Sequence, residues 1–397
     1  MTSFGFADII APMSEEEFFA DYFDKKPLHI RGTPGKFAEV MSWRHLNTML
    51  NQTHIWSSKT LNLVLDCVPL GPETFCRQTQ DRDGRPVLQP DPEKVLGQLR
   101  RGASLVLNDI DSLSAGLASV SNALEETLGA KAQANLYCSW RQHKAFPPHY
   151  DTHDVYAIHV EGTKTWNVYS GRADHPIPHP LFKGLPQAHH EQAKGELLME
   201  VALQPGDLLY LPRGQYHDAM ASTDAVIHVA FGAHHPLGMD LMNLLFDRVA
   251  YEPLFRSPVP RPTAEDGDTA LREHMRAMGT RLAELAEDPG VAEAFAGFIR
   301  GYRYPRGGFS LPALDESTRY TVAGKGLRVV RRGHAFAVKA PSGMLPVPDD
   351  SHDMVVWMLS RDSFSEAEFG AAFAATPPER RDAAIGELAR ADLIRAA

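Results

Sequence analysis

The hydrophobic residues of the chain form short runs between about residues 60 and 235 and recur at helical spacings after residue 237. The runs are rich in Val, Ile, Leu, Tyr and Trp, and turn residues separate them; examples are LNLVLD, ASLVLND, ANLYCSW, VYAIHV, KTWNVY, DLLYLP and AVIHVAFG. Short strands separated by turn residues are typical of an antiparallel sandwich or barrel. The pattern therefore predicts a mainly β domain in this part of the chain.

One long segment interrupts these runs. Residues 170–196 are rich in Pro, His and Gly and precede the hairpin-like stretch QPGDLLYLPRGQYHDAM. Segments of this composition usually run over the surface and carry function. We predict that this segment, called the excursion below, is a long loop over one mouth of the barrel.

The N-terminal region predicts a helix followed by a strand. Ser14 with Glu17 three residues later is a capping box, and aromatic residues follow at helical spacing. Pro27 ends the helical pattern, and Leu28 and Ile30 then alternate with polar residues as in a strand.

After HHPLG the composition changes to Leu, Met, Ala, Arg and Glu. Three segments, MDLMNLLFDRVAYEPLF, ALREHMRAMGTRLAELAED and VAEAFAGFIRGY, have apolar residues at spacings of three and four. These helices cannot bury their apolar faces by themselves. Either they dock onto the barrel or they form a dimer interface.

The last part of the chain begins with strand-like pieces, YTVAG, LRVVRRG and AFAVKA, and continues into three helices that Ser365 and Pro377 separate. This order predicts a winged-helix-like α+β module. Its third helix has no clean basic face, because acidic and basic residues are mixed there: Arg380, Arg381, Glu387, Arg390 and Asp392. A structural or protein-contact role and a nucleic-acid contact both stay open, and we favour the former.

The predicted division of the chain is therefore into three parts. Residues 1–236 form the β domain with its N-terminal helical segment, residues 237–312 form a helical block, and residues 313–397 form the winged-helix-like module. A chain of 397 residues is long enough for two or three domains.

Charge and cysteine content exclude several classes of protein. The chain has 40 Lys and Arg against 50 Asp and Glu, a formal charge of −10, which argues against a general polyanion binder. Its three cysteines include no CxxC pair, so neither a disulfide framework nor a thiolate zinc site is indicated. With no signal-peptide or membrane-span pattern, we expect a soluble cytoplasmic protein.

The candidate chemistry starts from H-x-[DE] matches, of which two are compared, His149 with Asp151 and His189 with Glu191. With 18 histidines and 50 acidic residues, about two matches are expected by chance. Residues i and i+2 of a strand share a face, so the first pair would point into the barrel if a strand runs through it. The second pair lies in the polar excursion, and we predict that it is on the surface.

A metal site needs a third ligand, and His217 is the candidate. It follows the Pro-Arg-Gly turn of LPRGQYHDAM at the start of a returning strand, which can bring it beside His149. Two histidines and one carboxylate are the facial ligand set of non-haem Fe(II) oxygenases. A structural histidine is the alternative for His217 taken alone.

The stretches PPHYDTHDVYAIHVEGTKTWNVY and QPGDLLYLPRGQYHDAM together resemble the JmjC-type, cupin-fold 2-oxoglutarate oxygenases, in particular their ribosomal oxygenase branch. FFADYFDKKPLHIRG and the order of barrel, helical dimerisation block and winged helix resemble the same branch over nearly the whole chain. The resemblance implies a double-stranded β-helix. It also implies that His149, Asp151 and His217 ligate Fe(II).

The same resemblance implies a cosubstrate site. Lys164 in EGTKTW matches the basic residue that pairs with the distal carboxylate of 2-oxoglutarate, and Tyr137 and Asn135 match polar positions near it. An exposed strand lysine is the alternative for Lys164, and a buried hydrogen-bonding role is the alternative for Asn135. In the strand after His217, many relatives have a Ser that donates a hydrogen bond to the cosubstrate carboxylate. This chain has Gly232 or Ala233 at that place, so either a water or His228 would replace the Ser as donor.

What the resemblance implies for function is hydroxylation of an aliphatic carbon by Fe(II), 2-oxoglutarate and O2, with release of succinate and CO2. The expected substrate is a side chain of a protein or peptide, including a ribosomal protein, and the expected assembly is a homodimer. Lysine demethylation uses the same iron chemistry.

Three alternative functions from other classes of protein are compatible with the same sequence features. The first is a non-catalytic cupin that binds metal or ligand as a dimeric interaction platform. The second is a cupin isomerase or a dioxygenase that uses no 2-oxoglutarate, and the third is a DNA-binding regulator with a vestigial barrel.

Overall fold

The computed structural model divides the chain into two units, Met1–Gly307 and Gly308–Ala397. The structure describes residues 4–80, 83–140, 146–223, 225–261, 267–307, 318–323, 327–332, 335–340 and 343–396.

The first unit contains the strands of the predicted β domain and helices on both sides of them in the sequence. Its strands are β1 Leu28–Ile30, β2 Leu61–Leu65, β3 Val68–Pro69, β4 Cys76–Gln80, β5 Pro86–Pro90, β6 Ser104–Leu107, β7 Lys131–Ser139, β8 Asp154–Glu161, β9 Lys164–Arg172, β10 Leu197–Leu203, β11 Leu208–Leu211, β12 Gln215–Ala221 and β13 Val226–His234. Its helices are α1 Phe6–Ile10, α2 Glu15–Asp21, α3 Trp43–Leu50, α4 Pro92–Arg100, α5 Ala115–Leu128, α6 Pro180–Lys183, α7 Gln187–Ala193, α8 Gly238–Val249, α9 Pro253–Arg256, α10 Gly267–Ala286 and α11 Pro289–Arg300.

Two antiparallel sheets build the β domain. The major sheet has eight strands in the order β1-β11-β8-β13-β7-β6-β2-β3, and the minor sheet has three in the order β10-β9-β12. Side chains from both sheets pack together between them: Val155, Ala157, Trp166, Val168, Val201, Leu203, Leu209 and Leu211. The mainly β domain predicted from the hydrophobic runs is confirmed.

The major sheet is covered on its other face as well. Alternate residues of β7 and β13, such as Leu136 and Phe231, are fully buried against the N-terminal helices and α5. Their neighbours in the strands face the minor sheet, because successive side chains of a strand point to opposite faces. The space between the sheets is therefore lined by a fixed set of alternate positions.

The N-terminal prediction is confirmed. Ser14 caps α2, since its Oγ accepts a hydrogen bond of 3.1 Å from the backbone N–H of Glu17. Strand β1 then adds to the edge of the major sheet, with Leu28 opposite Tyr210.

The excursion is not the simple loop that we predicted. Strand β9 continues to Arg172, and helices α6 and α7 lie within the remainder. Helix α6 starts with Pro180 at its first turn, and the Nδ1 atom of His179 accepts from the backbone N–H of Leu181. Helices of four and seven residues are too short to give a clear hydrophobic period, which explains the wrong prediction.

The helical block docks onto the β domain through a buried arginine that follows α11. The Arg306 side chain is 3% exposed, its Nε lies 2.7 Å from Asp111 Oδ2, and its Nη1 lies 2.6 Å from Glu125 Oε2. Nη2 also donates to the carbonyl of Ala132 in β7. Docking, one of the two roles considered for these helices, is therefore present at this end of the block.

The second unit contains β14 Arg319–Val322, β15 Val329–Arg332, β16 Ala335–Ala340, β17 Gly343–Val347, β18 Ser363–Ser365 and β19 Ile394–Ala396, with α12 His352–Leu359, α13 Glu366–Ala372 and α14 Pro378–Arg390. Strand β14 lies between β18 and β19 in one sheet, and β16 lies between β15 and β17 in another. Ser365 and Glu368 form a reciprocal capping box at the start of α13, and Pro377 directly precedes α14.

In the described part of the chain, no helix combines the length and the apolar character that a membrane crossing requires.

Candidate metal centre

The candidate ligands His149 and Asp151 lie in the segment that leads into β8, which begins only at Asp154. The sequence left open whether the strand runs through them, and it does not. His149 instead forms an isolated bridge with His217 of β12, in which each backbone N–H donates to the other's carbonyl at 3.1 and 2.9 Å. This bridge links the segment before β8 in the major sheet to the minor sheet.

The bridge brings the three predicted ligands together. One donor atom from each of His149, Asp151 and His217 lies within 4.8 Å of the other two, and Asp151 Oδ2 is 3.7 Å from His217 Nε2. This is the spacing that a single ion needs to reach all three. Two imidazoles and one carboxylate leave open positions on an octahedral ion.

Backbone carbonyls orient both imidazoles. His149 Nδ1 lies 2.8 Å from the carbonyl oxygen of Pro147, and His217 Nδ1 lies 3.0 Å from that of Gln215. A carbonyl oxygen only accepts, so each Nδ1 carries the hydrogen and each Nε2 keeps its lone pair for a metal. The donor set therefore fits a divalent transition metal without rearrangement of either ring.

The protonation of the site also suits a metal. Burial, together with the nearby His149, lowers the pKa of His217 to about 4, so its imidazole is neutral near pH 7. Burial opposes ionisation of Asp151, but His153, His149 and His217 together outweigh it and hold the pKa of Asp151 below its usual value. Metal ligation requires these two protonation states.

The excursion supports the ligand segment from outside. The hydroxyl of Tyr150 donates to the carbonyl of Phe182 at 2.7 Å, and the side-chain amide of Gln187 donates to the carbonyl of Pro148 at 3.0 Å. These bonds come from α6 and α7 or beside them. They hold the residues on either side of His149, where no regular strand pairing does so.

A cavity of about 250 Å³ extends from the three ligands between the two sheets. The three predicted cosubstrate residues, Lys164, Tyr137 and Asn135, all line it. The full lining is Asn135, Tyr137, Phe146, His149, Asp151, His153, Val155, Lys164, Trp166, His217, Ala219, His228, Ala230 and Gly232. Among the described lining residues, Asp151 is the only carboxylate.

Lys164 lies at the far end of this cavity from the ligands. Along the minor sheet, Lys164 pairs with Ala221, whereas His217 pairs with Val168, four residues further along β9. Four residues correspond to roughly 13 Å of strand. The Lys164 side chain is 4% exposed, and no carboxylate in the described ranges pairs with it, so burial lowers its pKa to about 8. A buried ammonium group without a counter-ion is costly, and a bound anion would supply one.

Tyr137 and His228 lie next to each other beside Lys164. Their rings stack with centroids 4.8 Å apart, and His228 Nδ1 is buried with no hydrogen-bond partner. Burial holds the pKa of His228 well below its usual value, with a smaller contribution from Lys164, and burial raises the pKa of Tyr137. Near pH 7 both groups are therefore neutral, and the Tyr137 hydroxyl retains its proton as a donor.

Asn135 makes a hydrogen bond within the protein and also lines the cavity. Its Oδ1 accepts a hydrogen bond of 3.1 Å from the backbone N–H of Asp109, whose φ is 58°. Its side chain also lines the cavity. The amide oxygen is therefore used to hold a turn, and the amide nitrogen is the atom left for a ligand.

The second H-x-[DE] match is on the surface, as predicted. His189 and Glu191 are exposed on α7, and Glu191 pairs with Lys194 on the same helix at 2.7 Å.

Sequence reasoning missed several residues that line the cavity, among them His153 and Trp166. His153 follows Asp151 by the same two-residue step that separates Asp151 from His149, so the spacing was visible in the sequence. Trp166 stacks on His217 with centroids 5.7 Å apart. Of the two positions considered for the missing Ser, Gly232 lines the cavity, whereas Ala233 is fully buried on the opposite face of β13.

Comparison with known proteins agrees with this geometry. Residues 110–241 match the JmjC domain family. This matched segment is similar to a JmjC domain. That segment includes β7 to β13, and with them the three candidate ligands and the cosubstrate positions.

Curated relatives of this JmjC domain include two named oxygenases. The chain is 29% identical over 230 residues to the bifunctional lysine-specific demethylase and histidyl-hydroxylase NO66 of Drosophila persimilis, which covers 57% of the chain and 31% of that protein. It is 30% identical over 232 residues to ribosomal oxygenase 1 of Gallus gallus, covering 57% of the chain and 36% of the relative. The chain thus spans about a third of the length of the curated relatives that it matches.

Among solved structures, the chain is similar in fold to YcfD, a ribosomal oxygenase from Escherichia coli, in a complex with cobalt and 2-oxoglutarate. The TM-score is 0.51 at 16% identity, and the match covers 97% of this chain and 98% of the other. At this identity the likeness shows the fold alone.

We predict that the JmjC domain binds one Co(II) per chain through the three ligands. His217→Ala should weaken Co(II) binding by at least about 100-fold, because loss of an outer hydrogen-bond partner already costs 10–100-fold in such sites. Titration of the metal-free protein, followed by Co(II) absorption, measures this. The control His189→Ala removes an exposed histidine and should bind as the wild type does; equal affinity in all three proteins would contradict the assignment.

Proposed function

We propose that this protein is an Fe(II)- and 2-oxoglutarate-dependent oxygenase that hydroxylates an aliphatic carbon of a side chain in a protein or peptide. The observation that carries the proposal is one cavity with two His and one Asp at one end and a buried, unpaired lysine at the other. A dicarboxylate that chelates a metal through its 2-oxo acid end would place its distal carboxylate toward Lys164. The names of the curated relatives support the same activity.

Iron, 2-oxoglutarate and O2 supply the oxidising power when bound: 2-oxoglutarate loses CO2 and becomes succinate, one oxygen atom enters succinate, and the other enters the substrate C–H bond. The residues of the chain hold and orient these groups. His149, Asp151 and His217 would hold the iron, and Lys164 would pair with the distal carboxylate. No side chain is required as a general acid or base.

The remaining cavity residues bind the cosubstrate and exclude water. Tyr137 would donate its hydroxyl to the distal carboxylate, and Asn135 would donate its amide hydrogen nearby. His228 takes the place of the missing Ser donor, because it lies beside Lys164 whereas Gly232 is four residues further along β13. Trp166 and Val155 close the sides of the cavity with apolar surface.

A protein substrate fits the mouth of the cavity better than a small molecule does. The excursion packs beside the ligands and enlarges the surface around them, and the relatives in Gallus gallus and Escherichia coli are named ribosomal oxygenases. We therefore propose a polypeptide substrate, with ribosomal proteins as the first group to examine.

Succinate formation tests the proposed function. With Fe(II), 2-oxoglutarate and ¹⁸O₂, the wild-type protein should form succinate that contains one labelled oxygen, even before a substrate is known. His149→Ala and Asp151→Ala should each reduce the rate by at least about 100-fold, since the metal is lost. Glu191→Ala, which removes a surface carboxylate, is the matched control. Binding of iron and 2-oxoglutarate without any succinate would favour the second candidate, a non-catalytic cupin that serves as a dimeric interaction platform.

The pKa of Lys164 predicts how 2-oxoglutarate binding depends on pH. The ammonium form is needed to pair with the carboxylate, and it is lost as the pH rises through about 8. Affinity should therefore be constant below this pH and fall by up to about tenfold per pH unit above it, because deprotonation competes with binding.

Lys164→Arg is the matched variant for this pH dependence, since a guanidinium stays charged throughout this range. Calorimetric titration of the Co(II)-loaded proteins should show a pH-independent affinity for this variant. If the affinity for 2-oxoglutarate changes with pH in the same way in the wild type and in Lys164→Arg, Lys164 does not bind the dicarboxylate.

We further propose that the protein is a homodimer formed through its helical block. Three residues of α8 at spacings of three and four form one exposed apolar stripe: Met239 is 59% exposed, Met242 51% and Phe246 73%. A stripe of this kind on a helix is typical of an interaction surface.

Light scattering tests the dimer. The wild type should have twice the chain mass of 43.9 kDa, and Phe246→Asp should have the monomer mass because it buries a charge in the interface. Leu181→Asp changes a residue that is 72% exposed on α6 and should leave the mass unchanged. A wild type of monomer mass would exclude this interface.

For the second unit we propose the winged-helix-like module predicted for residues 313–397, with a structural or protein-contact role. The support is the sheet β18-β14-β19 beside three helices. Salt-dependent binding of duplex DNA would argue instead for a regulator. We also propose a cytoplasmic location, supported by the buried thiols of Cys76 and Cys138.

A further inference from the structure

The strand register places Gly232 at the level of the metal ligands. On β13, the residues that face the cavity are His228, Ala230 and Gly232. His228 pairs with Tyr137 of β7, near Lys164, and Gly232 lies four residues further along, beside Val155 of β8. Gly232 is thus about as far from the Lys164 end as the ligands are, roughly 13 Å along the strand. If 2-oxoglutarate fills the space between, a substrate side chain approaches the metal at the level of Gly232.

The side chain that occupies this level is His153. A Cβ atom at position 232 would lie 2.6 Å from His153 Cδ2 and 2.7 Å from His153 Nε2. Both distances are shorter than real Cβ contacts, so the imidazole uses the space that the glycine leaves. On its other side the ring packs against His234, with centroids 4.3 Å apart. Gly232 and His234 therefore fix where the His153 ring lies.

His153 takes no part in the hydrogen bonding of the described residues. Its Nδ1 is buried without a partner, and among the described residues no hydrogen bond reaches its Nε2 either. An imidazole has two polar atoms that normally find partners when buried. An unpaired imidazole in the wall of a cavity, two residues from a ligand, is suited to hydrogen-bond a molecule that enters.

The charges around His153 restrict what can enter. The only carboxylate among the described lining residues is Asp151, which the metal would occupy. The adjacent Asp154 also acts on His153, but its carboxylate already accepts hydrogen bonds from Tyr210, the backbone N–H of Arg213 and His235. The next charge that acts on both Asp151 and His153 is the positive one of Lys183 in α6. A lysine or arginine side chain of a substrate would be desolvated there without a counter-ion. An uncharged amide or imidazole group could instead exchange a hydrogen bond with His153.

We propose that His153 is a substrate-binding residue that selects an uncharged, hydrogen-bonding side chain at the metal, and that Gly232 is the residue that makes room for it. The inference rests on the proposed function, because it takes the cosubstrate to occupy the Lys164 end of the cavity.

Paramagnetic relaxation of small probes tests this inference without a known substrate. The protein is loaded with Mn(II) and 2-oxoglutarate, and N-acetylglutamine methylamide, its arginine analogue and its norleucine analogue are titrated separately. The relaxation rate of the side-chain protons is measured against probe concentration and gives an apparent affinity for each probe. The affinity for the glutamine probe should be about tenfold higher than for the other two, which is the effect of one hydrogen bond. Zn(II)-loaded protein corrects for effects that do not depend on the paramagnetic ion.

The variants separate recognition by His153 from general damage to the site. His153→Leu should reduce the apparent affinity for the glutamine probe to that for the norleucine probe. His153→Asn should restore part of the difference in affinity between the two probes. Gly232→Ala keeps the imidazole but displaces it, so it should have the same effect as His153→Leu. His189→Leu is the matched control at an exposed histidine and should behave as the wild type does.

The outcomes that would overturn the inference are defined by the same measurement. The inference is overturned if the three probes relax equally, if the arginine probe is preferred, or if no probe relaxes. It is also overturned if His153→Leu has no effect. Relaxation of the methylene protons of 2-oxoglutarate is recorded in the same samples. If these protons are unaffected by Mn(II), the proposed function fails together with the inference; if they relax and the probes do not, only the inference fails.

Discussion

The two backbone hydrogen bonds between His149 and His217 are the contact on which the candidate metal centre depends. They join the segment before β8 to β12, and therefore the major sheet to the minor sheet, at a single bridge. Residues that face each other across an antiparallel ladder lie about 5 Å apart, which is close enough for both imidazoles to share one ion. Asp151, two residues along the same segment, completes the set. The geometry of the ligands thus follows from main-chain pairing and does not require adjustment of the side chains.

The cavity behind this bridge is arranged by charge along its length. Two imidazoles and one carboxylate lie at one end, and the buried ammonium of Lys164 lies at the other. The imidazoles around Asp151 favour its ionised form, whereas no described carboxylate pairs with Lys164, and a desolvated ammonium without a counter-ion is unfavourable. A divalent cation at the first end and a dicarboxylate at the second would match this distribution of charge.

Most of the strands could be predicted from their alternation, and His149 with Asp151 from their local spacing. The approach of His217, 66 residues beyond Asp151, was predicted from its place on a returning strand and from the motif resemblance. The start of β8 at Asp154 could not be predicted, since the bridge to β12 replaces regular pairing before it. Helices α6 and α7 were missed for a related reason: tertiary hydrogen bonds hold them, and their own periodicity is too short to detect. The position of His153 depends on a glycine 79 residues away in the sequence.

The excursion contributes to the centre in a way that its composition does not indicate. Because the sheet pairing stops before the ligands, the residues beside His149 need other partners, and Tyr150 and Pro148 find them at Phe182 and Gln187. The excursion, which the sequence predicts as a loop, is therefore the segment that holds the residues on either side of His149. A molecule that moves α6 or α7 on binding would move these residues with them, and so would change the spacing of the three candidate ligands.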